Sequence, residues 1–349
     1  MVKKLVILLM AALFAFSALA DTVRLRDDHP DRYVVVKGDT LWDISARFLK
    51  DPWLWPEIWE INPAIKNPHL IYPGDVISLT YDADGKPHLK LTRGRPVVKL
   101  SPRMRATPIR EAIPTIPLDA IRQFLLYPRV VSAEALEKAG YIVAQDEGSL
   151  ISASGDKVYV RGLRPEDGRD YYVTRIGDAY RNPGAKRKEI LGYEALQIAD
   201  AKVLRFGDPS TVRLGRTSRE VLIGDRLFPI VEEEKLEPYF LPHAPDFEIE
   251  GQIISVLDGV SRIGQYHTVV LNKGSRDGLE RGHVLLIRQR GESARDTVAP
   301  RRHGRRVQLP SERAGAVMVV RVFDRVSYAL VMEANRDMRV LDMFTSPGT

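Results

Sequence analysis

Hydrophobic positions change their period along the chain, and each change predicts a different element. Tyr33-Val34-Val35-Val36 is aromatic and β-branched, which predicts a strand, and Gly38-Asp39 supplies the turn that ends it. Leu41, Ile44, Ser45 and Phe48 then recur at helical spacing and give one apolar face. Thr40-Leu41-Trp42-Asp43 resembles a capping box at its start, with Thr40 accepting from a helical N–H and Asp43 reaching back. Asp51-Pro52 breaks this helix. Pro56-Glu57-Ile58-Trp59-Glu60-Ile61 predicts a second one, with proline in its first turn and Asn62-Pro63 at its end. Ile71-Tyr72-Pro73-Gly74-Asp75-Val76-Ile77-Ser78-Leu79 closes the segment, so the order is strand, helix, helix, strand.

From Tyr81 to Pro117 the periodicity fades. Asp84-Gly85, many prolines and the bases Arg93, Arg95, Lys99, Arg103, Arg105 and Arg110 predict a linker, semi-rigid where proline is dense. Two short helices are expected next: Pro117 to Leu126, with Ile121, Phe124 and Leu125 on one face, and Ser132 to Ala139, with Ser132 as N-cap and Gly140 at its end.

Beyond Gly140 short alternating segments dominate, and the sequence repeats itself. Gly140-Tyr141-Ile142-Val143 aligns with Gly251-Gln252-Ile253-Ile254, and without a gap Val158-Tyr159-Val160 meets Val269-Val270-Leu271. Further on, Tyr171 to Arg175 is set against Val284 to Arg288, Gly192 to Leu196 against Gly315 to Val319, and Val221 to Leu227 against Met338 to Met343. Each unit is expected to form a small barrel or open sandwich, with the seam at Glu232 to Phe247. At matching places both units carry a basic insertion, Asp178 to Lys188 and Gly291 to Arg306. These read either as solvated loops or as a docking surface for an acidic partner.

Composition narrows the setting. Lys3-Lys4 precedes an apolar run from Leu5 to Phe16 and the small-residue end Ala18-Leu19-Ala20, the pattern of a secretory signal cleaved before Asp21. The chain has no cysteine, which excludes disulfides and lipid attachment at a thiol. No other stretch is apolar enough to span a bilayer. The net charge of +6 and pI near 9.3 would suit nucleic acid, but export points instead to anionic wall peptides or outer-membrane lipid.

Catalytic chemistry is not expected. A thiolate nucleophile is impossible without cysteine. His29, His69, His88, His243, His267, His283 and His303 are scattered singly, with no closely spaced pair of zinc ligands.

The residues from Tyr33 to Ile44, with Ile71 to Leu79, resemble a LysM module, a small fold that binds N-acetylglucosamine-containing glycans. That resemblance covers roughly Pro30 to Thr80. It implies a groove between two loops, with Gly38, Asp39, Thr40, Leu41, Asn62, Pro63, Ile65 and Ile71 as glycan-binding positions, backbone amides meeting acetamido carbonyls. The alternative is that Asp39 and Thr40 only cap a helix and that Leu41 and Ile71 are only core. All four tryptophans lie in this segment. Trp42 is expected in the core, while Trp53 and Trp55 flank a short insertion and are candidates for exposure.

The chain is therefore expected to be multidomain α+β: signal peptide at 1–20, βααβ module at 30–80, linker at 81–116, helical lead-in and first β repeat at 117–231, and second β repeat at 248–346. The whole, with Ile116 to Ile121, Pro128 to Val131 and Val158 to Gly162, resembles the TsaP family of type IV pilus secretin-associated proteins. Its C-terminal part is also similar to the C-terminal domain of the flagellar assembly protein FlgT. This resemblance implies a periplasmic, cofactor-free, non-enzymatic tether that joins peptidoglycan to an outer-membrane secretin ring. A general wall-binding adaptor for another envelope complex or a wall hydrolase is the competing reading.

Overall fold

The computed structural model describes residues 23–59, 70–93, 114, 116, 129–146, 151–184, 189–230, 241–257, 262–291, 293–298 and 306–347. The expected signal segment, the helix expected at 117–126, and Asn62, Pro63 and Ile65 lie outside these residues. The chain divides into two compact units between residues 115 and 116. Among the described residues no helix is long and apolar enough to cross a membrane.

In the first unit, β1 (Arg32–Val34) leads into α1 (Leu41–Phe48), a 3-10 turn (Pro52–Leu54), α2 (Trp55–Ile58), β2 (Val76–Tyr81) and β3 (Pro87–Thr92). The sheet order is β1-β2-β3, antiparallel throughout, with Ile77 opposite Tyr33 on one side and Leu91 on the other. The strand β3 lies where a linker was expected. Its alternation is real: Leu89 and Leu91 point inward and are buried, while Lys90 and Thr92 face solvent. Proline and basic residues around it hid two apolar positions that only the neighbouring strand made meaningful.

The second helix also begins earlier than its pattern suggested, at Trp55. Trp42, Trp53, Trp55 and Trp59 are all buried, at 3%, 2%, 2% and 8% exposure, so Trp53 and Trp55 belong to the core and not to the surface. Trp42 and Trp53 pack with ring centroids 6.4 Å apart, and Trp55 meets Trp59 edge-on at 5.8 Å. A module this small must bury its large side chains to be stable, and the four indoles join Leu41, Ile44, Phe48, Ile71, Ile77 and Leu89 in its core.

In the second unit, β4 (Arg129–Val131) precedes α3 (Ala133–Lys138), whose N-cap Ser132 accepts from the Ala135 N–H at 3.1 Å, as its sequence predicted. Six strands follow: β5 (Gly140–Gln145), β6 (Lys157–Arg161), β7 (Asp170–Arg181), β8 (Ile190–Arg205), β9 (Ser210–Thr217) and β10 (Arg226–Pro229). They pair in the circuit β5-β6-β9-β8-β7-β10 and back to β5, with β4 added at the edge of β8. A second set contains β11 (Glu250–Val256), β12 (Thr268–Leu271), β13 (Val284–Gln289), β16 (Glu312–Val322), β17 (Ser327–Ala334) and β18 (Met343–Thr345), with a side hairpin of β14 (Ser293–Arg295) and β15 (Arg306–Gln308). It closes as β11-β12-β17-β16-β13-β18, the same circuit.

The duplication holds at the level of single residue pairs. Ile142 opposes Val160, Ala144 opposes Tyr159 and Gln145 opposes Val158; in the second barrel Ile253 opposes Leu271, Ser255 opposes Val270 and Val256 opposes Val269. The bulge between Ile142 and Ala144 recurs between Ile253 and Ser255. Two of the sequence pairings need correction. Leu227 faces Val173 where Phe344 faces Ile287, so Val173 matches Ile287, one residue on from the expected alignment. That slip matters because it decides which face turns inward: Tyr171 and Val173 share the core with Leu285 and Ile287 as their counterparts, not with Val284 and Leu286. Likewise Ala199, and not Gly192, corresponds to Gly315, since Ala199 pairs with Val173 as Gly315 pairs with Ile287.

The second difference has a structural cause. The ribbon of β7 and β8 runs on past the first barrel, while β13 is short, so the two repeats differ in length at Gly192 and Gly315. The extension packs on the second barrel. Tyr180, 5% exposed, brings its hydroxyl to 3.5 Å from that of the fully buried Tyr328. Arg325 donates to the Ile190 carbonyl at 3.0 Å and pairs with Glu189, and the Asn272 amide donates to Asn182 at 3.2 Å. Of the two basic insertions, residues 185–188, 292 and 299–305 lie outside the described residues; β14 falls within the second, and β15 begins at its last residue, Arg306.

Candidate functional site

The expected groove starts at the turn Val36-Lys37-Gly38-Asp39. Gly38 has φ +99°, the left-handed region that glycine enters without penalty, and the Asp39 N–H closes the turn on the Val36 carbonyl at 3.2 Å. The Asp39 carboxylate folds back to accept from the Val36 N–H at 2.8 Å and from the Tyr33 hydroxyl at 3.1 Å. That accepted bond and burial hold the Tyr33 phenol above its ordinary range, burial contributing most. The Arg47 guanidinium covers the same ring at 4.6 Å.

Thr40 caps α1 as its sequence required. Its hydroxyl accepts from the Asp43 N–H at 3.1 Å and donates to the Asp43 carboxylate at 2.7 Å. Leu41, the first helical residue, is 1% exposed, and its N–H donates to the Pro114 carbonyl at 3.0 Å. Ile71 is fully buried.

A second turn of the same build follows. Gly74 in Tyr72-Pro73-Gly74-Asp75 has φ +94°, and Asp75 accepts from the Tyr72 N–H at 3.1 Å. Arg93, just beyond β3, binds Asp75 at 2.7 Å and the Leu70 carbonyl at 2.9 Å. The two turns are stitched together through Val35, whose N–H donates to the Asp75 carbonyl at 2.9 Å and whose carbonyl accepts from the Gly74 N–H at 2.8 Å. These bonds tie the two turns to each other.

The side chains of Asp39, Thr40, Leu41 and Ile71 therefore have structural roles: turn staple, helix cap and core. What faces outward is the main chain at Lys37 and Gly38 with Val34 and Val36, exposed at 45% and 52%. Those two valines are not among the positions expected from the sequence, although period-2 alternation from the inward Val35 already turns them toward solvent. An exposed aliphatic pair beside an exposed turn suits the methyl groups and amides of an acetylated sugar.

Elsewhere, His243, Glu280 and His283 bring potential metal-binding atoms within 4.8 Å of one another. The histidines that look isolated in sequence are thus partly gathered by the fold, His243 and His283 lying 4.7 Å apart edge to face. Their hydrogen bonds decide what they offer. His243 Nδ1 donates to the Leu241 carbonyl at 3.0 Å, and His283 Nδ1 accepts from the Glu280 N–H at 3.1 Å. A neutral His283 then carries its proton on Nε2 and has no lone pair left for a cation, which reduces the set to two donors.

A cleft of about 730 Å³ lies between the β7–β8 ribbon and β11, lined by Asp178, Glu194, Ile254, Val256 and Leu341 among others. Burial, then the neighbouring Asp178, raises the Glu194 carboxyl above its usual range.

The LysM domain family model matches residues 33–80, the span of β1 to β2. A curated relative, the uncharacterized protein YqbP of Bacillus subtilis (strain 168), is 37% identical over 60 residues, which are 14% of this chain and 27% of that protein. The chain thus spans only about a quarter of the length of the curated relative it matches. The first unit carries a LysM domain, a carbohydrate-binding module and not a catalytic one, and this supports binding of peptidoglycan.

Proposed function

We propose that this chain is a non-enzymatic periplasmic tether: the LysM module holds peptidoglycan, and the two-barrel unit docks on an outer-membrane secretin ring of the type IV pilus system. The observation that carries the wall-binding half is the LysM match over residues 33–80, together with the paired turns at Gly38 and Gly74. Export is supported by the basic and apolar pattern of the first twenty residues. The secretin half rests on the resemblance of the duplicated β region to secretin-associated proteins. Many copies around one ring, each with a weak glycan contact to the same wall, would gain strength through multivalency.

Two measurements test the halves separately. The mature chain should sediment with purified sacculi, and failure to do so removes the wall-binding half. Immobilised on a column, the chain should retain a secretin from detergent-solubilised envelope. Recovery of other envelope proteins without a secretin would favour a general wall-binding adaptor, a reading kept open because the family match stops at residue 80.

A further inference from the structure

The Leu41 amide stands at the start of α1, where the first N–H groups of a helix have no partner inside it and carry its partial positive charge. Two nearby donors are satisfied locally: the Asp43 N–H by the Thr40 hydroxyl at 3.1 Å and the Ile44 N–H by the Thr40 carbonyl at 3.1 Å. Leu41 instead donates to Pro114, more than seventy residues along the chain, at 3.0 Å and with ordinary geometry. The acceptor is an amide carbonyl. An acetamido group presents the same acceptor, and Leu41 is one of the positions whose amides the LysM resemblance assigns to acetamido carbonyls.

We infer that the chain at Pro114 is a built-in competitor for the glycan groove: the Pro114 carbonyl occupies the Leu41 N–H that an N-acetyl carbonyl would take, so the wall glycan must displace it to bind. This rests on the glycan-binding reading of the module. The competition needs no strong contact, because an attached segment acts at a high effective concentration. If the carbonyl is docked about nine-tenths of the time, the apparent affinity for glycan falls about tenfold. Binding at the wall would in turn release the chain at Pro114 from the module, which couples glycan occupancy to the segment leading into the second unit.

The test uses the mature full chain with a specific protease site inserted after Ser101, compared uncut and cut at low micromolar concentration. Cutting leaves β1 to β3 on one piece and Pro114 on the other, and tryptophan fluorescence reports whether the module stays folded, since all four tryptophans lie within it. Two readouts are taken: affinity for the hexamer of N-acetylglucosamine, and hydrogen exchange at the Leu41 amide. Cutting should tighten hexamer binding about tenfold and speed exchange at Leu41. Equal affinity before and after, or a Leu41 amide that exchanges equally fast in both, overturns the competition. If neither form binds the hexamer, the glycan reading itself fails and the inference with it, while slowed exchange at Leu41 in the uncut chain would still identify the internal contact as real.

Discussion

The two barrels share every pairing in their circuits, yet they solve the same turn differently. Before the last strand of the first barrel, Leu222-Ile223-Gly224-Asp225 makes a turn with Gly224 at φ +93°; the Asp225 carboxylate accepts from the Leu222 N–H at 2.7 Å. Its counterpart Arg339-Val340-Leu341-Asp342 makes the same turn, with Asp342 accepting from the Arg339 N–H at 2.8 Å, but with Leu341 forced to φ +77°. Both feed the core strand alike: Gly224 and Leu341 donate to the Ile142 and Ile253 carbonyls at 2.9 and 2.8 Å. The stapling aspartates differ too. Asp225 is gripped by Arg175 through two bonds of 3.0 and 2.9 Å, whereas burial raises the carboxyl of Asp342. The lesson is that the barrel is specified by the turn's hydrogen bonds, and the residues that carry them are free to vary at a measurable cost.

The largest effects should come from the cores. Phe344→Ala is expected to cost about 3–5 kcal/mol and its counterpart Leu227→Ala about 2–5 kcal/mol, read by urea denaturation. Both side chains are buried, at 0% and 1% exposure. If either substitution leaves stability unchanged, the matched interiors are wrong. Next comes the docking of one barrel on the other. Tyr180→Ala, which empties the ribbon's contact with Tyr328, is expected to cost about 2–4 kcal/mol and to split a single calorimetric transition into two. A transition that stays single would mean the ribbon does not couple the barrels.

The aspartates should respond in opposite ways. Asp225→Asn is expected to lose about 1–3 kcal/mol, because it leaves the Arg175 charge without its carboxylate. Asp342 has a folded-state pKa above its unfolded value, so its contribution is present below the unfolded pKa and is lost as pH rises through the folded one. Asp342→Asn should therefore be neutral or stabilising at neutral pH, which the same denaturation experiment checks. Exchanging the turn residues sharpens the comparison further: Leu341→Gly should stabilise by about 1 kcal/mol and Gly224→Leu should destabilise by a similar amount, since only the left-handed backbone changes its cost.

The smallest difference is one of pH. Histidines of the two-barrel unit begin at His243, so the first barrel has none. Burial, then His243, holds the His283 ring below its ordinary pKa, and its neutral Nδ1 accepts from the Glu280 N–H. That contribution is present above about pH 6.5 and is lost as pH falls through the lower folded value. Lowering pH from about 8 to about 5.5 should weaken the second barrel more than the first, by hydrogen exchange, and His283→Asp, which keeps an acceptor, should reduce the difference.

Much of this was legible beforehand because it is local. The Thr40 and Ser132 caps, the turn at Gly38, the helix at Leu41 and the alignment of residues 140–143 with 251–254 each depend on residues close in sequence or on a period that repeats. Apart from the start of the helix at Trp55, the differences are long-range. The strand at Leu89 and Leu91 needed β2 beside it, the burial of Trp53 and Trp55 needed the rest of a small core, and the one-residue slip at Val173 needed the partner strand that fixes which face is inside. The gathering of His243 with His283 was invisible for the same reason.

By itself, then, the sequence determined a LysM segment, a repeated β unit and the residues that turn or cap the backbone, since these follow from side-chain shape and local hydrogen bonding. Tertiary structure alone decided that Asp39, Thr40, Leu41 and Ile71 are held inside while Val34 and Val36 face out, and that the Leu41 amide meets Pro114. Burial and long-range hydrogen bonds are properties of what the folded chain brings alongside a residue, and no window along the sequence contains them.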